Sequence, residues 1–228
     1  MTAVKITARN IMFTKPTKYG WDLNLGLILG DNRNYVIDTG VGTSSVRPIL
    51  EYIGADKKPI VVINTHWHWE HVWGNWCFED AIIISHPICR ELVDKHWDDE
   101  VKRNAEHVIA SDVRKKLPTL VFQDKLYFPD DGVSIFHSPG HTEDCISVYD
   151  EQDKVLHAGD NIGDTNEMIL PEIDTDFTTF KRLIELYDKY DFDICISGHN
   201  KPQDKDVLER MSVALRKKMG KQNNGGGS

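Results

Sequence analysis

Seven residues able to hold a metal stand at the points where apolar runs end, and that placement constrains the fold more than any other feature of the chain. In Asn64-Thr65-His66-Trp67-His68-Trp69-Glu70-His71, four of them follow the run Pro59-Ile60-Val61-Val62-Ile63. His141 follows Val133-Ser134-Ile135-Phe136-His137-Ser138-Pro139-Gly140. Asp160 follows Val155-Leu156-His157-Ala158-Gly159, and His199 follows Ile194-Cys195-Ile196-Ser197-Gly198. A short apolar run closed by a turn residue reads as a strand leaving a sheet. A polar side chain just beyond it stands on the sheet's rim. Four such strand ends require a fold that brings them to one rim. Imidazole and carboxylate donors suit zinc, iron or manganese, and not calcium or a thiolate-seeking metal.

The spacing divides the donors. His66 and His68 are two apart on extended chain, so their rings point the same way. Glu70 and His71 come after the chain has begun to turn and face a neighbouring pocket. One cluster is then His66, His68 and His141, and a second is Glu70, His71 and His199. Asp160 has two oxygens and can bridge them. Two divalent ions about 3.5–4 Å apart can share one hydroxide and clamp a substrate oxygen.

These motifs resemble the metallo-β-lactamase-fold superfamily of metal-dependent hydrolases. That family carries His-x-His-x-Asp-His, a His after Pro-Gly, a bridging Asp after Gly and a last His after Gly. The matching positions are His66, His68, His71, His141, Asp160 and His199. Asp38, in Val36-Ile37-Asp38-Thr39-Gly40, matches an early Asp that supports the ligands without binding metal. The resemblance spans roughly residues 10 to 215. It implies an α/β fold, a four-layer αβ/βα sandwich of two mixed sheets with outer helices. It also implies Zn2+ as cofactor, in two ions, with iron or manganese as alternatives, and catalytic roles for Asp160 and Glu70. The family's Asp is replaced by Glu70. Its extra methylene carries the carboxylate roughly 1–1.5 Å further, whereas ligand distances are held within about 0.2 Å. Glu70 is then expected to bind the second metal with a shifted backbone, as a tolerated variant ligand, or to bind through a water or leave one tightly held metal and a weak second site.

At 228 residues, 40% hydrophobic and 28% charged, the chain suits one soluble domain over residues 1–220. Residues 221–228, with Gly225-Gly226-Gly227-Ser228, read as a linker-like tail. A net charge of −9 disfavours nucleic acid as partner. No apolar run reaches the roughly 18 residues of a membrane span. Met1-Thr2-Ala3-Val4-Lys5 lacks the apolar segment of a signal peptide, so a cytoplasmic location is expected. Cys77, Cys89, Cys145 and Cys195 form no Cys-x-x-Cys pair and read as free thiols.

Residues 4–14 read as a strand, followed by strands over 21–30 and 35–38 about a polar turn. Ser44 to Ile53 is expected as a helix stopping at Gly54. Strands follow at 59–64 and 81–85, then a helix from His86 to Trp97 with Pro87 in its first turn. Residues 99–117 form a charged, helical connector. Strands near 125–128, 133–137, 145–150 and 154–158 precede a helix at 176–190, a strand at 194–197 and a helix at 205–219. Segments 86–125 and 163–171 are expected at the rim of the site.

Trp67, Trp69, Trp73 and Trp76 gather round the first motif, either packing the sheet edge or walling a substrate pocket. Trp69 is the candidate substrate contact, because the resemblance to lactonases of this fold turns that slot toward substrate. His137 and His157 read as packing residues near the motif. The expected activity is attack of a metal-activated hydroxide on an ester, lactone or amide carbonyl, β-lactams included, in a small-molecule substrate. No Gly-x-Ser-x-Gly elbow offers a serine alternative. The competing expectation is a mononuclear iron dioxygenase, as in the persulfide dioxygenases of the same fold.

Overall fold

The computed structural model describes residues 1–17, 20–107 and 112–225. Two mixed sheets face each other, and the apolar runs of the sequence form their strands. The first sheet runs in chain order: β1 (Thr2–Lys5), β2 (Asn10–Pro16), β3 (Asp22–Leu29), β4 (Asn34–Ile37), β5 (Ile60–Ile63), β6 (Ile82–Ser85) and β7 (Leu120–Val121). Its first four strands pair antiparallel and the remainder parallel. The second sheet has the order β12 (Ile194–Ser197), β11 (Val155–Gly159), β10 (Ile146–Asp150), β9 (Val133–His137), β8 (Lys125–Phe128). Only β11 and β12 are parallel in it.

β5 shows why these runs become strands. Val61 and Ile63 point between the sheets, where they meet Ile28, Ile37, Val133, Ile135 and Val148. Val62 points outward onto Val46 and Ile49 of α1 (Thr43–Ile53). Burial on both faces suits a continuous β-branched run. On the far side, Phe180, Leu183, Ile184 and Tyr187 of α4 (Phe177–Asp188) join Met211 and Leu215 of α5 (Val207–Gly225) against the second sheet. The layers are therefore helix, sheet, sheet, helix. Asp176 starts α4 by accepting from the amides of Thr178 at 2.7 Å and Thr179 at 2.9 Å.

Three expectations are corrected. The single strand at 4–14 is two strands, because residues 6–9 turn and β1 pairs back on β2 with Thr2 opposite Thr14. The helix from His86 continues to Arg103 as α3 (Pro87–Arg103), capped by the His86 side chain and stopped at Asn104. The connector is helical to Arg103 and again at Ala105–His107, and residues 113–118 are irregular; residues 108–111 lie outside the described residues. β7, two residues long, carries too little pattern to be read from sequence.

Candidate metal centre

Four strand ends and one short helix build the site. β5 ends at Ile63, and Asn64 and Asn75 exchange paired side-chain hydrogen bonds of 2.9 Å that tie the following loop to its return. The loop presents His66 and His68, then enters α2 (Trp69–Val72), which carries Glu70 and His71. β9 delivers His141 through its loop, β11 delivers Asp160 and β12 delivers His199.

Two donor sets result. His66, His68, His141 and Asp160 form one, and Glu70, His71, Asp160 and His199 the other; within each set the ligand atoms all lie within 4.8 Å of one another. Asp160 Oδ2 is common ground, lying 3.6 Å from His66 Nε2, 3.3 Å from His71 Nε2 and 3.0 Å from His199 Nε2. His141 Nε2 and His68 Nδ1 approach to 3.2 Å. The packing of Asp160 beside His71 requires glycine at 198: a Cβ there would lie 2.1 Å from Asp160 Oδ1 and 2.8 Å from His71 Cε1. Gly159 is held at a φ of +54° with Thr65 against it, which again excludes a side chain.

The far nitrogen of each strongly held ring is occupied, which turns the near nitrogen toward the cluster. His141 Nδ1 donates to the carbonyl of Glu172 at 2.7 Å, and His199 Nδ1 to that of Asp22 at 2.8 Å. His71 Nδ1 donates to Asp38 Oδ2 at 2.8 Å. His66 Nδ1 donates to Thr65 Oγ1 at 3.1 Å, and that hydroxyl donates to Asp38 Oδ2 at 2.8 Å. Asp38 thus supports one ring in each set, and does so with a φ of 61°, an uncommon conformation for a non-glycine residue.

Do these residues fit a metal? His66 Nε2, His71 Nε2, Glu70 Oε2 and Asp160 Oδ1 are buried without a hydrogen-bond partner. Such atoms are costly unless something meets them. Charge agrees. Burial alone would raise the Asp160 carboxyl, but His199, His71 and His66 hold it well below its usual range. Burial would lower His71 and His199, but Asp160 overrides it, with Asp38 helping at His71; His71 is held well above the ordinary value and His199 is raised to about 9. The Asp160 carboxylate demands positive charge beside it, and a divalent cation meets that demand. The donor set fits one.

Glu70 is half-buried, and α2 brings one of its carboxylate oxygens into the second set despite the extra methylene. Trp69 lies with its ring centroid 5.0 Å from that of buried Trp73, and both pack with Val93 and Trp97 against α3. The void among these rings is about 10 Å3, no more than one water's worth of room. An open cleft of about 250 Å3 lies instead beside His199, lined by Trp21, Asp22, Asp164, Thr165 and Lys201 among others. Trp21 meets the His199 ring edge-on at 4.4 Å. Sequence reasoning missed Trp21 and Lys201, which follow no periodic pattern, whereas Asp164 and Thr165 fall in the 163–171 segment expected at the rim. It also missed Asn161, whose side chain accepts from the His141 amide at 2.8 Å. Its position directly after Asp160 was the one available signal. His157 is buried in β11 and donates to Asn10 Oδ1 at 3.0 Å, and His137 stacks on His86 at 4.1 Å. Both pack away from the donor sets.

Residues 20–199 match the metallo-β-lactamase superfamily, and the chain belongs to it. It is a metal-dependent hydrolase of that fold. The human acyl-coenzyme A thioesterase MBLAC2 is 29% identical over 202 residues, an alignment covering 77% of this chain and 72% of that protein. A probable metallo-hydrolase of Methanocaldococcus jannaschii is 28% identical over 164 residues, covering 66% of this chain and 72% of the other. Among solved structures, TMB-1 superposes with a TM-score of 0.75 at 17% identity, covering 96% of this chain and 98% of that one. A metallo-β-lactamase from Pontibacter korlensis gives 0.70 at 21% identity, covering 94% and 98%. At those identities the structural likeness is one of fold.

Proposed function

We propose that the protein hydrolyses acyl esters, thioesters foremost, at a centre of two divalent ions, zinc by preference. His66, His68 and His141 would hold one and Glu70, His71 and His199 the other, with Asp160 common to both donor sets. The observation that carries this reading is the group of buried, unpartnered donor atoms arranged in two sets about Asp160. Metal bound there supplies an activated water and an electrophile for the carbonyl oxygen. The chain's own residues do the rest. Asp160 supplies negative charge to both sets, and Asp38 fixes His71 directly and His66 through Thr65. Glu70 completes the second set with a buried carboxylate oxygen. The cleft beside His199 offers Trp21 as an apolar wall and Lys201 as a cation for the substrate.

Water's oxygen joins the acyl carbon, the C–S bond breaks with its electron pair on sulfur, and sulfur takes up a proton to leave as thiol. Lactones and β-lactam amides call for the same attack at a carbonyl. The thioester is preferred because relatives at 28–29% identity carry the name acyl-coenzyme A thioesterase. A complete second donor set favours hydrolysis over oxygenation at a single iron. The free thiols of Cys77, Cys89, Cys145 and Cys195 suit a reducing, cytoplasmic setting. Among the described residues no helix is long and apolar enough to cross a membrane. Elemental analysis with a panel of thioesters, esters, lactones and β-lactams tests the reading. Two zinc or manganese ions per chain with thioester turnover are expected. One iron with oxygen uptake and no hydrolysis would overturn it.

A further inference from the structure

Beyond the cleft at His199 lies a larger groove that the hydrolytic centre does not itself require. It has a volume of about 1320 Å3 and runs between the loop at 166–172 and α5. Asn166 and Glu167 line both the groove and the His199 cleft, so the two adjoin. The groove is also anchored to the centre, because its wall residue Glu172 holds the His141 ring through its carbonyl.

The groove changes character along its length. Met168, Ile169, Leu170, Val213 and Ala214 make an apolar middle. Asp204, Asp206 and Glu209 lie at the start of α5, where Arg210 donates to Gln203 at 2.7 Å and stands 3.9 Å from Asp204. Further along the helix come Lys217, Lys218 and Lys221. Lys217 and Lys221 are exposed, share one helix face at i, i+4, and make no ion pair among the described residues. Lys218 is held over the Phe177 ring at 5.8 Å. In a chain of net charge −9, a cationic end to a groove leading from the reactive centre is unusual. From Val213 to Lys221 the helix advances about 12 Å. A ligand reaching the lysines from the centre is long, uncharged in its middle and anionic at its end.

We propose that this groove receives the leaving arm of the substrate, an extended thiol ending in a phosphorylated nucleotide of the coenzyme A type, with Lys217 and Lys221 taking its phosphates. The inference rests on reading the centre as a thioester hydrolase and adds where the thiol's far end is held. The same thiol arm borne on an acidic carrier protein would bring no terminal nucleotide phosphates to Lys217 and Lys221, so the free nucleotide is the better fit.

The test separates the groove from the chemistry. Binding of free coenzyme A and of pantetheine, which lacks the nucleotide and phosphates, is measured by calorimetry on the metal-free full chain. Kinetics on the butyryl thioesters of both follow with the metal-loaded enzyme. Coenzyme A should bind roughly tenfold tighter than pantetheine at low salt, with the advantage shrinking as salt rises. The Lys217→Glu/Lys221→Glu variant, altered only at exposed positions, should lose that advantage in both binding and KM. Equal binding of the two thiols, or an undiminished advantage in the variant, would overturn the proposal. So would a lower KM for the same butyryl group on a carrier protein than on coenzyme A. If coenzyme A binds as expected but neither thioester is cleaved, the groove stands and the thioesterase reading falls.

Discussion

The two donor sets share Asp160 and are built from the same residue types, yet their imidazoles are poised oppositely. In the first set, burial pushes His66 well down and His68 to about 3, with neighbouring imidazoles adding to the effect. Those rings stay neutral and present lone pairs. In the second set burial acts the same way on His71 and His199, but carboxylates reverse it. His71 touches both Asp38 at 2.8 Å and Asp160 at 3.3 Å, and His199 lies 3.0 Å from Asp160. His66, by contrast, is 3.6 Å from Asp160 and reaches Asp38 only through Thr65. A few tenths of an ångström and one intervening hydroxyl separate a ring that offers a lone pair from one that keeps a proton. Metal entering the second set must displace protons from His71 and His199, whereas His66 and His68 offer it lone pairs directly.

Asp160→Asn should break the comparison outright, because it removes the charge both sets share while keeping the side chain's shape. Metal content should fall in both sets, and turnover by more than about 100-fold, beyond the usual loss from removing a ligand's supporting partner. Elemental analysis beside thioester kinetics measures this. A variant retaining two metals and full turnover would show that Asp160 is not shared.

Acid should sharpen the comparison. Metal binds only deprotonated imidazole. His71 is held well above the ordinary value and His199 is raised to about 9, so each ring gives up a proton when metal binds at a pH below its own raised value. Second-set affinity should therefore fall as pH falls, by about tenfold per pH unit for each proton displaced. His68, lowered to about 3, meets no such competition until strongly acid pH. Between about pH 8 and 5, a chelator should strip one ion before the other, and the separation should widen as pH drops. Release of both ions in one phase at every pH would contradict the difference drawn between the sets.

Much of this centre was legible in the chain because its ligands sit where strand periodicity stops. An apolar run, a glycine and a His or Asp announce both the strand and its end, as at Ser197-Gly198-His199. The grouping of His66 and His68 apart from Glu70 and His71 was likewise visible in spacing, and α2 supplies the turn between them. Illegible features depend on tertiary approach. Thr65 linking His66 to Asp38 cannot be read from its neighbours, nor can Trp21 packing on a ring 178 positions away, the interval from Trp21 to His199. The division of β1 from β2 was lost because Ile6-Thr7-Ala8-Arg9 has no glycine or proline to mark its turn. The tryptophan cluster suggested a substrate wall, but Trp73 is buried and draws Trp69 toward α3, a preference fixed by packing between distant segments.

The smallest expected effect falls on Glu70, where the second set departs from the family's Asp. From sequence, the extra methylene left two readings, a tolerated ligand or a mismatched one that shortening to Asp would improve. The geometry points to the first. α2 starts at Trp69, and from its first turn the longer side chain brings a carboxylate oxygen into the second set, with Glu70 Oε2 buried and unpartnered. Shortening it withdraws that oxygen by roughly 1–1.5 Å, several times the tolerance of a metal–ligand distance, about 0.2 Å. Glu70→Asp should therefore weaken second-set metal by roughly tenfold, within the range seen for disturbed ligand geometry, and leave the first set alone. Three ligands remain, so the loss is partial and most visible under mild chelation. Glu70→Gln keeps the reach and removes the charge, which separates distance from electrostatics. If Glu70→Gln binds as the parent does while Glu70→Asp is weakened, distance controls the site. If the two are equally weak, charge does. A metal-to-protein ratio that rises on going to Asp would restore the mismatched reading and show that α2 does not fit the longer side chain to the metal.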